Sequence, residues 1–214
     1  MLFRSKLVIS ASAGGGYGNT NFVLDNVRHG PGYFPPEPSY SSEGGTISNA
    51  ITGIEAAGVP GLQITYLDGI ETNGLPLPPH ITNAVNVAGY ISWGFHSSLG
   101  SDYAVTANTN AVKWAGNSAW YLIETIESFN GQRDFNSGNF IWWFVSNAFS
   151  GTNYDYSNTP VGGVSHVDEP LLGGVNNAAT YFGLWAGGKN FAISAWNSRN
   201  TVYFQAVGDP LVTR

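Results

Sequence analysis

Val87-Ala-Gly-Tyr-Ile-Ser-Trp-Gly-Phe-His96-Ser-Ser-Leu-Gly100 is the stretch on which the fold is read. An apolar run closes on Gly94, and a histidine follows at position 96. A continuous apolar run bounded by glycine is the spelling of a strand buried on both faces, as in a parallel sheet. In such sheets ligands and reacting groups sit just past the carboxyl ends of the strands. The pattern therefore places the His96 imidazole where an active site would lie. A histidine there needs a nucleophile beside it, and the chain contains no cysteine.

Outward from this run, strand and helix patterns alternate. Leu7–Ala13 reads as a buried strand running into Gly14-Gly-Gly-Tyr-Gly18, and Asn19 and Thr20 would cap a helix over Asn21–Arg28. Residues 29–46 read as a loop rich in proline and glycine. Ile47–Ala57 has apolar residues at helical spacing and stops at Gly58, and Gly61–Leu67 alternates like a strand. Ala119–Ile126 is a second strong strand. Phe140–Phe149 reads as an aromatic helix, Gly162–Val167 as a strand, Ala178–Gly187 and Phe191–Trp196 as helices, and Tyr203–Val207 as a last strand. The expected fold class is α/β, a mainly parallel sheet sandwiched by helices in one domain over residues 1–214, with long loops at 29–46, 68–84 and 97–118. Both ends look abrupt, so a fragment of a longer protein is a further expectation.

Composition narrows the function. Charged residues are 10% of the chain, against about 25% in ordinary globular domains. Glycine, asparagine, serine, threonine and aromatic residues fill the difference, a polar and uncharged surface expected of an exported bacterial protein. With eight Lys plus Arg and a net charge of −6, no basic patch is available to neutralise phosphates, so a nucleic-acid partner is not expected. The apolar runs fall short of the roughly 20 residues of a membrane helix. No signal peptide is visible in Met1-Leu-Phe-Arg-Ser-Lys6, and no cofactor motif is complete. The Gly14–Gly18 cluster lacks the spacing of a dinucleotide or phosphate loop and reads as a tight turn.

Three groups could carry chemistry. His96 with Ser97 could form a hydroxyl–imidazole pair, although no Gly-x-Ser-x-Gly elbow is present; the alternative is a loop histidine bonded to backbone. Glu124, Glu127 and Ser128 close the second strong strand. Glu124 lies inside an apolar run, so if buried it must find a partner such as Arg133 or keep a proton. His166, Asp168 and Glu169 follow the next strand. They are metal-ligand types, but a third converging ligand is missing and no metal is expected. Asp209-Pro210 makes a sharp exit from the last strand.

The blocks Gly89-Tyr-Ile-Ser-Trp-Gly94, Ile126-Glu-Ser-Phe-Asn-Gly-Gln-Arg133-Asp-Phe, Gly163-Val-Ser-His-Val-Asp-Glu-Pro170 and Val207-Gly-Asp-Pro-Leu211 occur in this order. Over roughly residues 85–211 the chain resembles a family of exported bacterial proteins found in species with exosortase-type sorting systems. That family is similar in turn to the gingipain-like cysteine peptidases with their caspase-like sheet. The resemblance implies a histidine after one central strand, which falls on His96, followed here by Ser97 where that family has glycine. It also implies a nucleophilic cysteine at the end of the next strand, which falls near Glu127-Ser128, where there is none. Cysteine-peptidase activity is thereby out of reach.

Three functions stay open. The first is a peptidase-like binding or assembly module for a peptide, protein or glycan, outside the cell or in the periplasm. Its catalytic-position candidates are His96, Ser128 and Glu127, with Ser97, Glu124, Arg133, His166, Asp168 and Glu169 as binding candidates. The second is a serine/histidine hydrolase using Ser128 or Ser97 with His96. The third is a carbohydrate-binding or surface structural module, suggested by seven Trp and eleven Tyr, although Trp142-Trp143-Phe144 reads as core.

Overall fold

The structure is a computed structural model that describes residues 19–29, 39–71, 80–94, 112–132, 139–152 and 155–214. A six-stranded sheet organises it. Its strands are β1 (Asn21–His29), β2 (Gln63–Glu71), β4 (Val87–Trp93), β6 (Leu122–Ile126), β7 (Gly162–His166) and β8 (Phe204–Gly208). The order across the sheet is β2-β1-β4-β6-β7-β8. All neighbours pair in parallel except β7 with β8, which are antiparallel. Two short strands, β3 (Asn83–Val85) and β5 (Lys113–Ala115), pair in parallel with each other. The chain is thus α/β with a mostly parallel sheet, as its uninterrupted apolar runs imply.

Three helices, α1 (Ser39–Ala56), α2 (Ala178–Ala186) and α3 (Phe191–Ser198), share one core with the sheet. That core joins Phe22, Leu24, Ile91, Leu122 and Val164 from the strands to Ile54, Phe182 and Phe191 from the helices. Where α1 crosses α2, the backbones meet closely. A Cβ on Gly53 would strike the Ala179 carbonyl, and one on Gly183 would lie 2.7 Å from the Gly53 oxygen. The opposite face of the sheet is covered differently. Val23, Tyr90, Tyr121 and Ile123 pack there against Trp114 of β5 and against Trp143 and Phe149. Among the described residues the α-helices lie on one face and the 3-10 helices Asn139–Phe144 and Ala148–Ser150 on the other, so the mostly parallel sheet is flanked by helices.

Two expectations change. Asn21–Arg28 is not a helix but β1, paired on both sides. Phe22 and Leu24 enter the helix-side core and Val23 the other, which is the two-residue period of a strand. Asn19, expected as a helix cap, donates its amide to the Val87 carbonyl at 3.0 Å. The Asn86 carbonyl takes the backbone N–H groups of both Thr20 and Asn21. The aromatic segment forms two 3-10 turns, Asn139–Phe144 and Ala148–Ser150, rather than one α-helix. Phe149 and Ser150 sit at φ of 54° and 62°, which ends any regular helix. The loops also carry structure: α1 begins at Ser39 inside 29–46, β2 and β3 extend into 68–84, and β5 lies inside 97–118. Leu7–Ala13 and the glycine cluster lie outside the described residues. No described helix is long and apolar enough to cross a membrane.

Candidate functional site at the carboxyl edge of the sheet

The strand order reverses between β1 and β4: β2 lies on one side of β1, and the later parallel strands lie on the other. Open α/β sheets hold ligands in the crevice outside the strand ends at such a point. Register places Asp25 opposite Ser92, and Ser92 opposite Thr125. Ser165 faces Gln205 further along. Asp25, Ser92, Thr125 and Ser165 are all buried. By strand alternation they point away from the α-helices, forming a polar row at one level of the sheet.

Asp25 anchors this row. Its Oδ2 accepts from His80 Nδ1 at 3.1 Å and from the Ile81 backbone N–H at 3.0 Å. The carboxylate accepts, so Nδ1 carries the ring proton. Aspartate thereby fixes both the orientation and the tautomer of an imidazole at the switch point. Below the row, burial first and the Asp25 charge second push the Tyr90 phenol far above its ordinary value, so it stays neutral. The Ser92 hydroxyl lies beside the Tyr90 hydroxyl and favours its ionised form, but neither makes a hydrogen bond of good geometry among the described residues.

The turn after β6 is tied at several points. Thr125 Oγ1 donates to Glu127 Oε2 at 3.1 Å, and Asn130 Nδ2 donates to Thr125 Oγ1 at 2.9 Å. Asn130 Oδ1 accepts from the His166 N–H, and the Gly131 N–H donates to the His166 carbonyl. These bonds hold Phe129 at a φ of 59°. The Glu127 carboxylate fills the space that a Cβ on Gly94 would need. Glycine at 94 is thus required by close approach, and it brings Glu127 against the strand exit that leads to His96.

Ser128 Oγ donates to Glu169 Oε2 at 2.8 Å, and Glu169 Oε1 accepts from the Leu171 N–H. The Asp168 side chain caps the Glu169 N–H at 2.8 Å. Of the expected site residues, the structure therefore joins Ser128 to Glu169 and sets Glu127 beside Gly94. Glu124 and His166 lie elsewhere, in the layer facing the α-helices. Both are fully buried. Glu124 does not emerge at the sheet edge, because its place in the middle of β6 turns it under α2, against Tyr181. His96, Ser97 and Arg133 lie outside the described residues. No three His, Asp or Glu side chains among the described residues converge as a metal site would require.

Asp25 and His80 were missed by sequence reasoning. The available signal was an acid inside the apolar run Asn21-Phe-Val-Leu-Asp25, hidden once that run was read as a helix. The aromatic segment is also split. Trp143 is buried in the core, whereas Trp142 is 57% exposed. Trp196, 60% exposed and stacked under Arg199 at 3.7 Å, lies on the helix side of the sheet. Trp142 and Trp196 thus fall on opposite faces and form no common platform for a sugar.

Compared with known proteins, the chain matches no family model, and no curated protein or solved structure matches it.

Proposed function

We propose that this chain is a peptidase-like binding or assembly module of an exported bacterial protein, built on a gingipain-like scaffold without the nucleophile. Its ligand seat is the carboxyl edge of the sheet, from Asp25 and Ser92 across Glu127 to Ser128 and Glu169. The ligand is a peptide, protein or glycan met outside the cell. One observation carries the reading: the Ser128 hydroxyl donates its hydrogen bond to the Glu169 carboxylate rather than to an imidazole. A serine nucleophile needs a positioned base that takes its proton, and among the described residues no imidazole nitrogen is bonded to this hydroxyl. His166 is engaged through Nδ1 by the Glu127 carbonyl at 3.1 Å. The absence of cysteine removes the thiol route. The mostly parallel sheet and the polar turns at its carboxyl edge support the scaffold reading.

A second reading rests on the Asp25–His80 pair. An imidazole oriented by a buried carboxylate is the base half of a hydrolytic site. Turnover of peptide and ester substrates by the wild type and by His96→Ala, Ser128→Ala and His80→Ala separates the two. The binding module gives no turnover above buffer in any of the four. Robust turnover lost in Ser128→Ala or His96→Ala overturns it, and turnover lost only in His80→Ala establishes the second reading.

A further inference from the structure

The helix-facing layer at the end of β6 and β7 holds five buried polar atoms without hydrogen-bond partners among the described residues. They are both carboxyl oxygens of Glu124, Nε2 of His166, and the oxygen and nitrogen of the Asn176 amide. Register places two of the three side chains on one face, and the chain path leads to the third. Glu124 is paired in register with Val164 in parallel, so His166, two residues on, is its diagonal neighbour on the same face, with Cα atoms about 8 Å apart by strand spacing and rise. The Gly174 carbonyl lies close enough to His166 to favour its charged form, yet makes no hydrogen bond of good geometry with Nε2. From Gly174 the chain runs through Asn176 into α2, whose Tyr181 sits against Glu124. Asn176 therefore lies on the short segment that connects the surroundings of His166 to those of Glu124.

The chemistry of these atoms says what belongs among them. Burial holds the Glu124 carboxyl well above the usual carboxylate range, so it is a neutral acid with one donor and one carbonyl acceptor. Burial lowers the His166 imidazole, and its Nδ1 proton is committed to the Glu127 carbonyl, which leaves Nε2 as a bare acceptor. Asn176 adds two donors and an acceptor. The set is mixed and carries no formal charge, so it does not suit an ion. A buried polar group left unpaired loses its hydration with nothing in return, a cost too large to repeat across three side chains without compensation.

We propose that Glu124, His166 and Asn176 line an internal site for a small neutral hydrogen-bonding guest, namely ordered water. A water offers two donors and two acceptors, and buried waters typically bond about three polar groups. This site lies on the opposite face of the sheet from the Asp25–Ser92–Thr125 row, and His166 ties it to the turn after β6 through the Glu127 carbonyl. It gives the helix-side core a hydrated corner between β6, β7 and α2.

A crystal structure of the full chain that resolves ordered solvent tests this directly. The expected result is water within hydrogen-bond distance of at least two of the three side chains. A dry corner, with Glu124, His166 and Asn176 bonded to one another, overturns it. In solution, magnetic relaxation dispersion counts long-lived internal waters. Glu124→Gln keeps a donor and an acceptor and should keep the wild-type count. Glu124→Met and, as a second variant, Asn176→Leu should each lose at least one water. Counts equal to wild type in both apolar variants contradict the proposal.

Discussion

Replacing Glu124 by glutamine changes how stability depends on pH, and the size of the change follows from one proton. Glu124 is fully buried, and burial raises its carboxyl well above 4.5. The unfolded chain sheds this proton near about 4.3, whereas the native chain keeps it. Above that pH the native state binds one more proton than the unfolded state, so stability falls as pH rises. The slope is about 1.4 kcal/mol per pH unit until the native carboxyl ionises too. Glutamine keeps the shape and the hydrogen-bonding groups but does not titrate. Above the unfolded value, wild type should therefore lose stability relative to Glu124→Gln with that slope. His166 acts in the opposite sense. Burial lowers its imidazole, so its contribution rises as pH climbs toward 6.5. It is present in both proteins and cancels in the difference. Urea denaturation of both proteins at several pH values, with m held in common, measures that difference. Parallel stability curves across the window would refute the reasoning.

Gly183→Ala should destabilise by about 1–3 kcal/mol, because overpacking against the Gly53 carbonyl outweighs the helix propensity gain of about 1 kcal/mol; a thermal melt showing a gain contradicts this. Ser128→Ala removes one part-buried bond to a carboxylate and should cost about 1 kcal/mol, with the fold intact by circular dichroism. Asp25→Ala strips His80 and the Ile81 N–H of their shared acceptor and should cost about 1–3 kcal/mol in urea denaturation. Gly94→Ala should drive the Glu127 carboxylate from its seat, seen as chemical-shift changes that spread from Glu127 to Asn130 while α2 stays unaltered.

The parts of the fold that were legible were those where local pattern and tertiary surroundings agree. Val87–Trp93 and Leu122–Ile126 are central strands buried on both faces, and their apolar runs say so. Gly58 stops α1 with a φ of 64° after the last turn, as a glycine beyond a helix implies. The failures have physical causes. Asn21–His29 carries Asn, Asp and Arg, and its strand character comes from being paired on both sides, which no local window contains. The 3-10 turns at 139–150 bury Trp143 and Phe149 but expose Trp142, a pattern set by the sheet beneath them rather than by helical period. The positions of Glu127, Ser128 and Glu169 just past strand ends were legible, because strand ends can be located from sequence. The Asp25–His80 pair spans 55 residues and depends on the crossover order of the sheet. Glu124 and His166 were readable as buried polar groups, but not the face to which they turn.

The central claim is that the carboxyl edge binds and that Ser128 is a structural hydroxyl. An experimental structure that locates His96 relative to Ser128 tests it most directly. The account predicts that Ser128 Oγ stays on Glu169 near 2.8 Å with no imidazole nitrogen within hydrogen-bond reach. A His96 nitrogen about 2.6–3.2 Å from a Ser128 hydroxyl turned away from Glu169 would contradict it.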